Sequence, residues 1–239
     1  MTNSAKFFIA LVVLCGLGIV GFAVESNHES ILWVRFVALL VITLFAARCN
    51  VSLPGITGSM SVNLPFILIA LTQLSLWEAI FIGCSSALVQ SLMNSRKTNA
   101  IKVIFNVCNM ANAIGLAYFL YTLHIQNADL TTHSLLLIAA AAGYFVGNTM
   151  PVAIIIALTE RQNPVKLWNS LFLWTFPYYL LSAGLAFFAG AVTRFVGWET
   201  ALGLLPVMFG VYLSYRMYFH QHTSVKYPAT MVRAATGAA

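Results

Sequence analysis

Apolar segments long enough to cross a lipid bilayer follow one another along almost the whole chain. A helix needs about 20 apolar residues to span the hydrocarbon core of a membrane. Eight apolar segments are recognisable, of which the third and fourth are short, at residues 7–24, 31–47, 64–75, 78–93, 103–123, 134–158, 167–193 and 199–219. This pattern predicts an all-α integral membrane protein, a bundle of about eight transmembrane helices.

The scarcity of charge supports the same conclusion. Of the 239 residues, 60% are hydrophobic and 8% are charged, whereas soluble domains carry about 25% charged residues. So few charges cannot cover a soluble surface of this size. The sequence therefore predicts one polytopic membrane domain, 1–219, followed by a polar cytoplasmic tail, 220–239, that we expect to be disordered.

The basic residues are distributed unevenly between the two ends of these segments. With eight crossings, all but Arg35 and Arg194 of the 12 Lys and Arg residues fall on the side that holds the N-terminus. Cytoplasmic loops carry such an excess, so both termini are predicted to be cytoplasmic, in a bacterial inner membrane. The net charge of +6 then reflects topology, and we expect the lipid bilayer rather than nucleic acid as the partner.

Two connections allow alternative interpretations. Segments 64–75 and 78–93 form either a tight helical hairpin or one long tilted helix, which would leave seven crossings. The charge distribution favours eight. Residues 48–63, rich in Gly, Ser and Pro, form either a cytoplasmic loop or a re-entrant segment, which a membrane tolerates only inside protein.

Charged groups near the outer ends raise a further choice. Arg35 either extends its side chain to the membrane surface or pairs with Glu78 or Glu25. Glu78 itself is expected to be solvated. No carboxylate is predicted near the bilayer centre, which argues against a proton-driven pump.

Asparagines and prolines interrupt the apolar character of the fifth, sixth and seventh segments. Asn106, Asn109 and Asn112 recur every three residues and share one helix face, which must point into the bundle because unpaired amides are costly in lipid. They serve either as contacts between helices or as the lining of a cavity. Pro151 and Pro177 each disrupt a helix.

These residues define a predicted ligand site between the three segments. At 1.5 Å per residue, the polar groups reach similar depths, about 15–18 Å from the inner ends of their helices. The predicted lining consists of Asn109, Asn112, Asn148, Trp174 and Tyr178. The rival interpretation is a satisfied polar core without a ligand. Since no HExxH, GxSxG or P-loop motif occurs, we expect no catalytic residue, no metal site, no cofactor and no enzymatic activity.

A series of short motifs, in order, carries a resemblance to a known group of proteins. They are SLPG at 52–55, SVNLPF at 61–66, VIFN at 103–106, YFVGNT at 144–149 and LWTFPYY at 173–179. In this the chain resembles the N-terminal multi-helix membrane region of bacterial HD-GYP and GGDEF signalling proteins. The resemblance covers roughly 70% of the chain, counted over residues 48–219.

The resemblance implies a membrane-embedded sensory or ligand-binding module that signals to a cytoplasmic or membrane partner. The signalling proteins continue into a soluble output domain, whereas about twenty polar residues follow here. The chain is therefore expected to be a stand-alone relative or a fragment, without cyclic-dinucleotide chemistry. The alternative function is a small-molecule permease or the substrate-binding subunit of an uptake transporter.

Overall fold

The computed structural model describes residues 3–27, 32–52, 59–93, 100–123 and 129–193, together with scattered positions between 203 and 217. The predicted eighth segment, 199–219, lies mostly outside the described residues. The predicted tail, 220–239, lies entirely outside them.

The described chain is built almost wholly of α-helices, which confirms the all-α part of the predicted fold class. The helices are α1 (Asn3–Glu25), α2 (Trp33–Arg48), α3 (Leu64–Gln73), α4 (Leu76–Met93), α5 (Ala100–Thr122), α6 (Leu130–Glu160), α7 (Pro164–Leu171) and α8 (Phe176–Thr193). A 3₁₀ turn, Leu173–Thr175, joins α7 to α8. Two short strands, β1 (Asn50–Ser52) and β2 (Ser59–Ser61), pair antiparallel.

Five helices are long and apolar enough to cross a membrane, counted over the described residues. They are Asn3–Glu25, Leu76–Met93, Ala100–Thr122, Thr131–Glu160 and Pro164–Thr193. Helix α2 has 16 residues and α3 has 10, and ten helical residues rise only about 15 Å. The described residues therefore support the membrane character of the chain. They do not support the predicted number of eight spanning helices.

Helix α5 lies at the centre of the bundle and packs against α1, α4 and α6. Small residues make this close approach achievable. A Cβ at Gly16 of α1 would lie 2.8 Å from the backbone oxygen of Cys108, and one at Gly147 of α6 would lie 3.1 Å from the Cα of Ala113. Glycine at these two positions lets the backbones of neighbouring helices come together.

Helix α3 is a short helix enclosed by protein, since every residue from Leu64 to Leu71 is buried. It packs mainly against α8 and also against α4 and α2. Leu74 adopts an extended backbone conformation, with φ −123° and ψ 170°, so residues 64–93 form two helices rather than one. Ser75 and Glu78 then cap α4, because Glu78 accepts hydrogen bonds from the Ser75 backbone nitrogen and hydroxyl.

The connection 48–63 enters the bundle at its C-terminal end. Val62 and Asn63 are buried, and the Asn63 side chain donates a hydrogen bond of 2.9 Å to the Ser86 hydroxyl of α4. Ser86 lies ten residues into α4, about 15 Å from its start. Helix α3 thus begins beside the middle of α4, which favours the re-entrant interpretation for the end of this segment.

Polar side chains define the starts of α6 and α7. Asp129 accepts a 2.9 Å hydrogen bond from the backbone nitrogen of Thr132, and its hydrogen bonds with Thr132 lower the pKa of the Asp129 carboxyl below its usual value. Asn163 caps α7 by accepting hydrogen bonds from Val165 and Lys166. Each cap satisfies amide groups that a helix N-terminus leaves unpaired.

The close contact at Gly16 yields a testable prediction. Gly16→Ala should destabilise the protein by about 1–3 kcal/mol, the usual range for overpacking, because the backbone of Cys108 cannot yield as a flexible side chain could. Gly18→Ala is the matched control on the same helix, since a Cβ there meets nothing within 4 Å. The measurement is the thermal unfolding midpoint in detergent, and equal midpoints for the two variants would contradict the packing described here.

Candidate functional site

The structure brings together two of the five predicted site residues, Asn109 and Asn148. The buried Asn109 amide nitrogen donates a 2.9 Å hydrogen bond to the backbone carbonyl of Asn148 and lies 3.4 Å from its side-chain oxygen. The side chain of Tyr179 in α8 lies near that of Asn148. The contact between Asn109 and Asn148 thus links α5 to α6, with α8 close by.

The other asparagines of α5 contact different helices. Asn112 donates a 2.9 Å hydrogen bond to the carbonyl of Val12 in α1, and Asn106 donates one of 3.1 Å to the Ser91 hydroxyl in α4. The side-chain oxygens of Asn109 and Asn112 are buried and have no hydrogen-bond partner in the part of the chain that the structure describes. The three amides therefore connect α5 to three neighbours, as the interpretation of contacts between helices expects.

The two aromatic residues of the predicted site lie in different environments. Tyr178 is buried and packs edge-on against Tyr179, with ring centroids 5.7 Å apart. Trp174, in the 3₁₀ turn, is 36% exposed, which places it at the surface of the bundle. Asn109 and Tyr178 are thus interior residues and Asn148 is partly buried, while Asn112 bonds to α1 and Trp174 is partly exposed. Ligand binding by the five residues stays a prediction.

An aromatic cluster fills the space between α6, α7 and α8. The Phe145 ring lies 5.4 Å from Trp168, 5.2 Å from Phe176 and 4.8 Å from Tyr179, measured between centroids. The Trp168 indole donates a 2.8 Å hydrogen bond to the Thr149 hydroxyl, which in turn donates to the Phe145 carbonyl. Side chains thus pack closely between α6, α7 and α8, next to the predicted site residues Asn148 and Tyr178.

A cavity of about 350 Å³ lies at one end of the bundle, where α3, α5 and α8 end and α2 and α6 begin. Its volume is at the lower end of the range for small-molecule sites, roughly 300–1,000 Å³. Its polar lining consists of Arg35, Thr72, Gln73, Tyr121, His133 and Thr193. These residues come from five helices, so an occupant would touch most of the bundle.

The remaining wall of the cavity is apolar. Leu137 of α6 and Phe187 of α8 contribute side chains, and Gly190 leaves part of α8 uncovered. A Cβ added at Gly190 would meet nothing within 4 Å. A small pocket with an apolar wall and several convergent polar groups is typical of ligand-binding sites.

The charge of the cavity comes from Arg35, two residues after the start of α2. Arg35 is partly buried and lines the cavity. The described lining includes no Asp or Glu, so its formal charge is positive.

The structure corrects the expectation that Glu78 is solvated. Glu78 is only 4% exposed, because its side chain folds back to accept hydrogen bonds of 3.0 Å and 2.6 Å from Ser75. Its second oxygen is buried without a hydrogen-bond partner among the described residues. Glu78 therefore caps α4, and the structure shows it paired with Ser75 rather than with Arg35.

Sequence reasoning missed most of the cavity because its residues are scattered. Thr72, Gln73, Tyr121, His133 and Thr193 lie on four helices and form no motif. The available signal was Arg35, a cation on the side that carries few cations. Arg35 was expected either to extend to the membrane surface or to form an ion pair, and neither alternative predicts a shared cavity.

Comparison with protein-family models, curated proteins and solved structures finds no match to the chain. A function can therefore be proposed only from the geometry of the cavity and of the helix contacts.

The hydrogen bond between Trp168 and Thr149 gives a second prediction. Thr149→Val should cost more stability than Thr159→Val by about 1 kcal/mol, since polar contacts between membrane helices average about 0.6 and reach about 1.7 kcal/mol. Both threonines lie on α6 and donate to the carbonyl four residues earlier, but of the two only Thr149 accepts a hydrogen bond from the Trp168 indole among the described residues. Unfolding midpoints measured with and without Trp168→Phe separate the pairwise contribution. Equal costs in both backgrounds would exclude it.

Proposed function

We propose that this chain is a non-enzymatic, membrane-embedded module that binds a small molecule in the cavity beside Arg35 and signals its presence to a partner. The observation that carries the proposal is the cavity of about 350 Å³ lined by side chains of five helices. A molecule that contacts five helices can favour one arrangement of them over another, which is what a sensor requires. The expected resemblance to signalling-protein membrane regions agrees with this role.

A second candidate function is a permease or the substrate-binding subunit of an uptake transporter. Its support is the pair of interrupted helices: α3 starts beside the middle of α4, and a 3₁₀ turn precedes Pro177 at the start of α8. Interrupted helices build the binding sites of many transporters. Uptake of a bound compound into vesicles by the isolated protein would favour transport, whereas binding without uptake favours sensing or a substrate-binding subunit.

The proposal includes a bacterial inner-membrane location, eight crossings and cytoplasmic termini. The connections after α4 and α6 carry Arg96, Lys97 and Arg161, as cytoplasmic loops do. Helix α3 would then end near the outer surface at Gln73, and α4 would run from there toward the cytoplasm. The cavity, which contacts Gln73 and the end of α8, would open toward the outside.

Reporter fusions test this orientation. Fusions after Lys97 and Arg161 should be active with a cytoplasmic reporter, and a fusion after Asp129 should be active with a reporter that requires export. The physical reason is the excess of basic residues on one side. Export of the fusion after Lys97, with the fusion at Asp129 retained inside, would invert the proposed topology.

Ligand binding in the cavity is tested by filling it. Gly190→Leu should place a side chain in the cavity without disturbing the backbone, since a Cβ there meets nothing within 4 Å. Gly184→Leu is the matched control, because Gly184 lies on the same helix, also has open space and is exposed. Both replacements introduce leucine in place of glycine, so their effects on helix propensity are similar.

The measurement is a thermal-shift screen of water-soluble metabolites in an uncharged detergent. A compound present at 100 times its dissociation constant stabilises the folded state by about 2.7 kcal/mol. At least one compound should raise the unfolding midpoint of the wild type and of Gly184→Leu by several degrees, and not that of Gly190→Leu. A set of stabilising compounds that act equally on both variants would place the site outside this cavity.

A further inference from the structure

We propose that the cavity binds a molecule through an anionic oxygen group, a carboxylate or a phosphate, and that Arg35 is the residue that recognises it. This inference rests on the proposed function and adds the chemical class of the ligand.

The first support is the position of Arg35. This residue lines the cavity, and within the described ranges no hydrogen bond or ion pair joins its side chain to another residue. Arginine carries five N–H donors and stays protonated in proteins. A charged side chain inside a membrane protein is costly unless an opposite charge, backbone carbonyls or water satisfies it, so a partner for this cation is expected in the cavity itself.

The second support is that the nearby carboxylates do not fill this role. The Glu78 side chain is buried and hydrogen-bonded to Ser75. Glu25, the other predicted partner, is exposed at the end of α1. Since the described lining contains Arg35 and no acidic residue, the electrostatic preference of that lining is for an anion.

The shape of arginine narrows the class further. Its planar guanidinium pairs in a bidentate manner with carboxylate and phosphate oxygens, and such charge-assisted hydrogen bonds are about twice as strong as neutral ones. Gln73 and Thr72 also line the cavity and can hydrogen-bond further polar atoms. An anionic oxygen group is therefore the best match to the polar side chains of the described lining.

The aromatic and apolar residues of the lining can accommodate the body of the ligand. Tyr121 and His133 have their rings 6.5 Å apart, and Leu137 and Phe187 are apolar. A volume of about 350 Å³ suits a compound with one ring or a short chain. The same chemistry can be supplied by a soluble carboxylate or by the headgroup of an anionic lipid, and the two sources differ in experiment.

The first arm of the test uses soluble compounds in matched pairs. Phenylacetate, nicotinate and inorganic phosphate are the anions, and phenylacetamide and nicotinamide are the neutral counterparts. Unfolding midpoints are measured for the wild type, Arg35→Gln and Arg48→Gln in uncharged detergent. Arg48 is the matched control, since it is an exposed arginine at the other end of α2.

The second arm uses lipid. Native mass spectrometry compares retention of phosphatidylglycerol, which is anionic, with retention of phosphatidylcholine, which has no net charge, on the same three proteins. Preferential retention of phosphatidylglycerol that Arg35→Gln abolishes identifies a headgroup as the source. Stabilisation by a soluble anion that Arg35→Gln abolishes identifies a free compound.

The expected result is that an anion from one arm binds the wild type and Arg48→Gln, and binds Arg35→Gln at least tenfold more weakly. A matching neutral compound should bind at least tenfold more weakly than its anion. If Arg35→Gln does not fold, Arg35→Lys keeps the charge but loses the bidentate geometry and should bind the anion more weakly than the wild type does, while Gly190→Leu removes binding with Arg35 intact.

The outcomes separate this inference from the proposed function. Neutral compounds that bind as well as the anions, with binding lost in Gly190→Leu, would overturn the anion assignment and leave the cavity as a ligand site. Failure of every anion and of phosphatidylglycerol to bind would also overturn the assignment. Anion binding that persists in both Arg35→Gln and Gly190→Leu would overturn the assignment and the site together.

Discussion

The bundle depends on the close contact of α1, α4 and α6 with the central helix α5. In a bilayer, helices gain little from burying apolar surface, because lipid tails are as apolar as leucine. Association must therefore come from dense packing and from polar contacts. Gly16 and Gly147 allow backbone approach to Cys108 and Ala113, and that proximity brings the side-chain amides of α5 within hydrogen-bonding distance of their neighbours.

The asparagines of α5 follow from this packing. Because α1 lies so close, Asn112 reaches the Val12 carbonyl directly, and Asn109 reaches a backbone carbonyl of α6. An amide that bonds a main-chain carbonyl constrains the position of the helix as well as that of a side chain. The polar stripe thus orients α5 toward three partners, while aromatic rings complete the interior between α6, α7 and α8.

The sequence predicted the helical membrane fold because an 8% share of charged residues leaves few alternatives. It also predicted the inward face of Asn109, since an amide is costly in lipid. It did not predict that Trp174 is partly exposed or that Glu78 is buried, because both depend on local geometry. Trp174 lies in a 3₁₀ turn, and Glu78 accepts a hydrogen bond from the Ser75 hydroxyl at the start of α4. The cavity could not be predicted, because its lining comes from five helices and the sequence does not show which helix ends lie next to one another.

The cavity lies at the end of the bundle where α5 ends, beyond its close contacts with α1, α4 and α6. Helix α3 ends at Gln73, and the extended residue Leu74 turns the chain into α4, so the space beyond this corner is not filled by a full-length helix. On the facing side, Ala186 and Gly190 of α8 line the cavity with little or no side chain. Because α3 is buried from Leu64 to Leu71 and packs chiefly on α8, an occupant at its end would contact both helices. Under the proposed sensory function, this contact is the route by which binding beside Arg35 would reach the interior of the bundle.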